Sequence, residues 1–167
     1  MRRGTLIKEH SMIKTNAMRL LDAKKVHNVA HEYDAEITDG GSVADTLGEP
    51  RERVFKTLVT ESGKGEYLVF VVPVCRELDL KAAARAADVK SVAMIKQKEL
   101  EPLTGYVHGG CSPVGMKKRF RTFFDESARA FDTVFVSAGK RGVQMEVSPV
   151  ELAAFCGASF APIATAE

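Results

Sequence analysis

Lys56 stands inside an otherwise apolar strand-like run, Val54-Phe-Lys-Thr-Leu-Val-Thr60. Alternation puts Val54 and Leu58 on its own face, with Phe55, Thr57 and Val59 on the other. A lysine so placed either snorkels to solvent at a sheet edge or lines a polar cavity. In a cavity its ammonium would act as a point charge for a phosphate or a carbonyl oxygen. Two glycine-dense segments carry chemistry of the same sign. One is Thr104-Gly-Tyr-Val-His-Gly-Gly-Cys-Ser-Pro-Val-Gly-Met-Lys-Lys-Arg119 and the other Val134-Phe-Val-Ser-Ala-Gly-Lys-Arg-Gly142. Adjacent N–H groups in such turns form anion-binding concavities, and Lys117, Lys118, Lys140 and Arg141 add positive field. Either segment alone is an ordinary surface turn. Together they predict a pocket for an anionic, phosphate-bearing group.

The other nucleophiles are less well supplied. Ser137 ends a strand and opens the Gly139-Lys140 turn, but no Gly-x-Ser-x-Gly elbow or paired histidine accompanies it. Cys111, with His108 three residues before it, could form a thiol–imidazole pair, although free cysteines more often serve as small buried hydrophobes. Tyr33 and Tyr106 offer a hydroxyl or a ring for base stacking, or else belong to the core. Cys75, Cys111 and Cys156 are odd in number and widely spaced. They include no Cys-x-x-Cys pair, so neither disulfide, metal nor cofactor is expected.

The elements that must position these groups are interleaved helices and strands within one domain. The chain has 167 residues, 45% hydrophobic and 28% charged, with a net charge of +2. That charge is too small to grip a long nucleic-acid duplex, but the local cations suit one end of an RNA. No run of 18 apolar residues and no signal-peptide pattern occurs, so a reducing, cytoplasmic setting without membrane contact is expected. Residues 1–14 read as a peripheral extension and 15–167 as the domain.

A helix is predicted from Thr15 to Lys25, an extended segment near Val29–Tyr33, and a brief helix to Leu47 capped by Ser42. Val54–Thr60 and Tyr67–Val74 form a hairpin through Ser62-Gly-Lys-Gly65, the second strand being apolar on both faces and therefore central. Asp79 caps a helix over 80–87. Ser91–Ile95 is a strand and Lys96–Leu100 a short helix. Phe120–Phe124, Thr133–Ser137 and Val143–Val147 complete the strands. Ser148-Pro-Val-Glu151 is a capping box that opens a helix running to Gly157. Without a regular βαβ period this is a mixed α+β domain rather than a doubly wound sheet.

Three motifs, Val54-Phe-Lys-Thr-Leu58, Thr104 to Lys118 and Val136-Ser-Ala-Gly-Lys-Arg-Gly142, closely resemble those of the bacterial YbaK family. These are free-standing editing proteins of the prolyl-tRNA synthetase insertion-domain superfamily, best known as Cys-tRNA(Pro) deacylases. The likeness runs from about Asn16 to Ile163, with the motifs in the family order. It implies a single compact domain with a curved mixed β-sheet flanked by helices around a small pocket. It implies hydrolysis of the ester between a wrong amino acid and the tRNA 3′-terminal adenosine. By position, Lys56 corresponds to the family's essential lysine. Gly109, Gly110, Cys111, Ser112 and Pro113 match its Gly-x-x-x-Pro substrate loop, Ser137 and Gly139 its second loop, and Tyr33 a pocket tyrosine. The partners implied are the aminoacyl-tRNA acceptor end and prolyl-tRNA synthetase. The alternative is a non-catalytic module that captures a nucleotide or a tRNA acceptor end.

Overall fold

The computed structural model describes residues 13–63 and 65–166; most of the expected 1–14 extension lies outside the described residues, as does Lys64 of the hairpin turn. Local capping chemistry sets the helices. Thr15 opens α1 (Asn16–Ala23) by accepting the Met18 N–H at 3.2 Å, and Ala17, Met18 and Leu21 form its buried face. The next helix begins earlier than expected. Asp39, not Ser42, caps α2 (Gly40–Leu47): its carboxylate accepts both the N–H of Ser42 (3.0 Å) and its hydroxyl (2.9 Å). The helix start therefore lies three residues before Ser42, which sits in the first turn as the donor to the cap. Asp79 caps α3 (Leu80–Ala87) as expected. α4 (Gln97–Thr104) runs through Pro102 instead of stopping at Leu100. Pro102 has no N–H to give to the carbonyl one turn back, and Gly105 closes the helix soon after it in the left-handed conformation. Ser148 and Gly157 bound α5 (Pro149–Cys156) as the capping box requires.

The strands are β1 (Asn28–Glu32), β2 (Phe55–Ser62), β3 (Tyr67–Pro73), β4 (Val92–Met94), β5 (Arg121–Asp125), β6 (Val134–Lys140), β7 (Val143–Val147) and β8 (Ser159–Ala161), the last not foreseen from the sequence. They divide into two sheets rather than one continuous curved sheet. One is antiparallel in the order β1-β7-β6, the other mixed in the order β4-β2-β3-β5-β8. An isolated parallel bridge, Val54 to Phe135, joins them. The expected α+β class holds, and β3 is central, with Leu68 to Val72 all fully buried.

Inward faces of both sheets share the main core. Ala30, Met145 and Val136 from the three-stranded sheet meet Phe55, Val71 and Phe124 from the five-stranded one, with α1 and Leu152 of α5 closing it. The other face of the five-stranded sheet packs Leu68, Phe70 and Val72 under Ala83, Ala84 and Ala87 of α3, whose small side chains let the helix approach closely. At the joint between the sheets, Ala44 of α2 covers Val54 and Phe135. No helix among the described residues is long and apolar enough to cross a membrane.

Candidate functional site

The bridge between the sheets decides where Lys56 points. β2 and β6 run parallel past Val54 and Phe135, and residues two further along each strand, Lys56 and Ser137, keep the same face. Ser137 is opposite Gln144 on β7, Gln144 is opposite His31 on β1, and Lys56 is opposite Val72 on β3. One polar row, His31–Gln144–Ser137–Lys56, therefore crosses the joint. Lys56 is about a quarter exposed and its ammonium lies 3.6 Å from a carboxylate oxygen of Glu77, a side chain that is 81% exposed. Such a pair restrains the lysine weakly.

The first glycine segment is held against the second. Gly110 packs so closely on the β6–β7 turn that a Cβ there would lie 3.0 Å from the Arg141 backbone nitrogen, and Arg141 Nε donates to the His108 carbonyl at 2.8 Å. Gly109 lies against Thr38, and Gly40, two residues on, against Val74. Val74 in turn donates its N–H to the carbonyl of Val54. The start of α2 thus spans from the glycine loop to the end of β2 that carries Lys56. Ser112 is fully buried and its hydroxyl accepts the Val114 N–H at 3.2 Å, which fixes the turn, and the Pro113 carbonyl accepts from Cys156 Sγ at 3.5 Å.

The second segment differs from expectation. β6 continues through Ser137 to Lys140 with a register irregularity between them, so Gly139 sits in a bulged strand and not in an open loop. Its φ is +100°, and an added Cβ would fall 2.9 Å from Tyr106 Cε1. Tyr106, whose hydroxyl donates to the Val114 carbonyl, clamps the glycine loop to β6. Burial pushes the Tyr106 hydroxyl up to about 12, so it remains a donor at neutral pH. Ser137 Oγ accepts the Gly139 N–H at 3.1 Å.

The Cys111 side chain turns away from Lys56. It packs with Val59 and Val69, on the face of the β2–β3 ladder opposite to Lys56. Burial pushes its thiol up to about 12, while His108 is exposed. A thiolate nucleophile is thereby disfavoured on both counts.

Lys117, Lys118, Lys140 and Arg141 are all exposed. Lys117, Lys118 and Lys140 border two depressions that residues of α1 also line. One, of about 250 Å³, is lined by Leu20, Pro113 and Lys117 to Arg119; the other, of about 400 Å³, by Lys14, Arg19, Gly139 and Lys140. Neither is lined by Lys56. Tyr33 lies on the same face as His31, its N–H bonded to the Gly142 carbonyl and its hydroxyl buried. At the far end of that face, burial would raise the Glu146 carboxyl. Hydrogen bonds from Thr133 and His31, together with the Arg53 charge, bring it below its ordinary value. Among the described residues no group of three or more His, Cys, Asp or Glu is placed to hold a metal ion.

Sequence reasoning misses three participants. Tyr106 reads equally as a stacking ring or a core residue, the Asp39–Gly41 turn offers only a helix boundary, and Gln144 carries no signal. Only the strand register reveals Gln144, because an isolated glutamine in an alternating strand reads as solvent-facing.

The family model for the aminoacyl-tRNA editing domain matches residues 34–155. A candidate Cys-tRNA(Pro)/Cys-tRNA(Cys) deacylase of Enterococcus faecalis, EbsC, is 43% identical over 97% of this chain and 100% of its own. The uncharacterised protein YwhH of Bacillus subtilis is 27% identical over 77% of this chain and 81% of its own. Among solved structures, a candidate trans-editing enzyme for prolyl tRNA synthetase superposes with a TM-score of 0.80 at 25% identity, covering 92% of this chain and 99% of that one.

Proposed function

The chain belongs to the aminoacyl-tRNA editing domain family, and on that premise we propose that it is a trans-editing deacylase. It hydrolyses the ester of mischarged tRNA(Pro), Cys-tRNA(Pro) foremost. The observation that carries the reading is the placement of Lys56 beside Ser137, with the start of α2 leading from there to the Gly109–Gly110 loop. In this account Lys56 holds the terminal phosphate or ribose region. Backbone N–H groups of the glycine loop take the ester carbonyl as it gains negative charge.

The absence of a placed nucleophile among the described residues is consistent with an already activated ester, for which positioning and electrostatics supply much of the rate. Water adds to the carbonyl carbon, the C–O bond to the ribose breaks, and a proton passes to the departing ribose oxygen. With a cysteinyl ester the substrate's own thiol can add instead, releasing the tRNA and leaving a thiolactone that water opens. The alternatives separate in one assay. Seryl and cysteinyl esters of the same tRNA hydrolysed at equal rates would exclude thiol assistance.

Lys117, Lys118, Lys140 and Arg141 are exposed at the ends of the two glycine segments and suit the phosphates of the acceptor end. The name of the Enterococcus relative pairs two tRNAs, and that of the structural neighbour refers to prolyl tRNA synthetase. We infer that this chain reads the aminoacyl group and that association with the synthetase supplies tRNA identity. Release of amino acid from Cys-tRNA(Pro) and Cys-tRNA(Cys), with and without the synthetase, tests this. Selectivity that the isolated chain already displays in full would refute the division of labour. Tight binding without turnover of any ester would instead favour a capture module.

A further inference from the structure

Within the polar row one buried amide oxygen has no partner among the described residues. Gln144 is 6% exposed, and its Oε1 accepts no hydrogen bond from the described residues. The buried hydroxyl of Tyr33 is likewise without one. Unpaired buried oxygens are costly, and a native fold that keeps two on one face calls for an explanation. Gln144 lies between Ser137 and His31 in register, so it continues the row that Lys56 begins. Tyr33 follows two residues after His31, one past the end of β1, and its N–H bond to the Gly142 carbonyl continues the β1–β7 register, which keeps it on the face of His31. The neighbouring carboxylate is already engaged, since Glu146 accepts from His31, Arg53 and Thr133.

The chemistry of the two orphans selects their ligand. An amide oxygen only accepts, and a phenol can accept. Together they suit a group that only donates. In a site for an aminoacyl ester that group is the α-ammonium. Two strand spacings, roughly 10 Å of backbone, separate Gln144 from Lys56. A cation is repelled from the lysine, so the ammonium and the anionic part of the substrate sort to opposite ends of the row.

Resting on the deacylase reading, we propose that Gln144 Oε1 and the Tyr33 hydroxyl receive the α-ammonium of the aminoacyl group. Gln144 is then a specificity-determining residue for free aminoacyl esters. The test compares kcat/KM for cysteinyl-tRNA and for 3-mercaptopropionyl-tRNA, which keeps thiol and ester but lacks the amine. The intrinsic difference in ester reactivity cancels when each variant's ratio is set against that of the wild type. Gln144→Met, close in volume, lowers the cysteinyl-to-mercaptopropionyl ratio by roughly tenfold or more, as expected for a lost bond to a charged group. Tyr33→Phe lowers it independently, and Gln144→Glu, which keeps the acceptor, holds it at or above the wild-type ratio. An unchanged ratio, or equal losses on both esters, overturns the assignment and leaves Gln144 a packing residue. If the wild type turns over neither ester, the deacylase reading itself fails and this assignment falls with it.

Discussion

Lys56 and Ser137 stand on neighbouring parallel strands, each two residues past the bridge from Val54 to Phe135 that joins the two sheets. Neither belongs to the other's sheet. The site is therefore built on a joint, and its geometry depends on what fixes that joint: Ala44 of α2 above it, and Arg53, which stacks on Phe135 and binds the Thr133 carbonyl at 2.8 Å.

Cys111 is expected to be dispensable for turnover. Its thiol is buried, pushed up to about 12, and on the face away from Lys56. Cys111→Ala should retain kcat/KM within about threefold while losing roughly 1–2 kcal/mol of stability from the packing with Val59 and Val69. Activity should show no step from thiol ionisation between about pH 6 and 9. A pH profile that loses such a step in Cys111→Ala would restore the thiol to the mechanism.

Gly110→Ala and Gly139→Ala should both impair activity, for different reasons. The first drives a Cβ into the backbone of the β6–β7 turn, which cannot yield as a flexible side chain can. The second both strains a left-handed residue and displaces Tyr106. Each should reduce kcat/KM at least tenfold and lower stability by about 1–3 kcal/mol. Tyr106→Phe strips the Val114 carbonyl of its partner, at a cost of about 1–3 kcal/mol if that carbonyl is left unpaired. Thermal melts alongside kinetics distinguish the three.

Glu146 sets an acid limit on the joint. Its carboxyl is held below its ordinary value despite burial, by Thr133, His31 and Arg53. A depressed folded-state value contributes stability that is present above the unfolded value, 4.5, and is lost as pH falls through the folded one. Glu146→Gln should thus be less stable than wild type at pH 7, by about 1–3 kcal/mol. The gap should narrow as pH drops below 4.5. Denaturant titrations at several pH values measure it; a gap that stays constant would show that the charge contributes nothing.

The surface lysines Lys117 and Lys118 should act on binding. Lys117 and Lys118 are exposed, so Lys117→Ala/Lys118→Ala should leave the melting temperature unchanged and raise KM several-fold. The salt dependence of tRNA binding should flatten by about 0.7 in log–log slope for each phosphate that the protein no longer neutralises. Arg141 differs, because its bond to the His108 carbonyl also ties the two glycine segments together. Its removal should affect kcat as well as KM.

Much of the fold is legible where local chemistry decides it. Ser148-Pro149 and Gly157 bound α5, Asp79 opens α3, and the apolar run Leu68–Val72 marks the central strand, all from side chains acting within a few residues. The departures occur where two local signals compete or where partners are distant. Asp39 and Ser42 both offer a helix start and the earlier one is used, and α4 continues through Pro102. β8 is three residues long and forms because it pairs with β5, a pairing that no short-range pattern encodes. The site follows the same division. Lys56 and the glycine segments can be found by type and spacing, whereas the row that unites Lys56, Ser137 and Gln144 arises from register across three strands. The family likeness also implies one curved sheet; the splitting into two is a matter of pairing, visible only in the bridge at Val54.

The most direct measurement is release of cysteine from Cys-tRNA(Pro) by wild type and by Lys56→Ala, with thermal melts of both. Among the described residues Lys56 has only a weak pair with the exposed Glu77, so the melts should agree within about 1 kcal/mol. Removing a charge aimed at the reacting end of the substrate should reduce turnover by about 100-fold or more. Full turnover by a folded Lys56→Ala would contradict the account, since it would mean that the ester is hydrolysed elsewhere on the molecule.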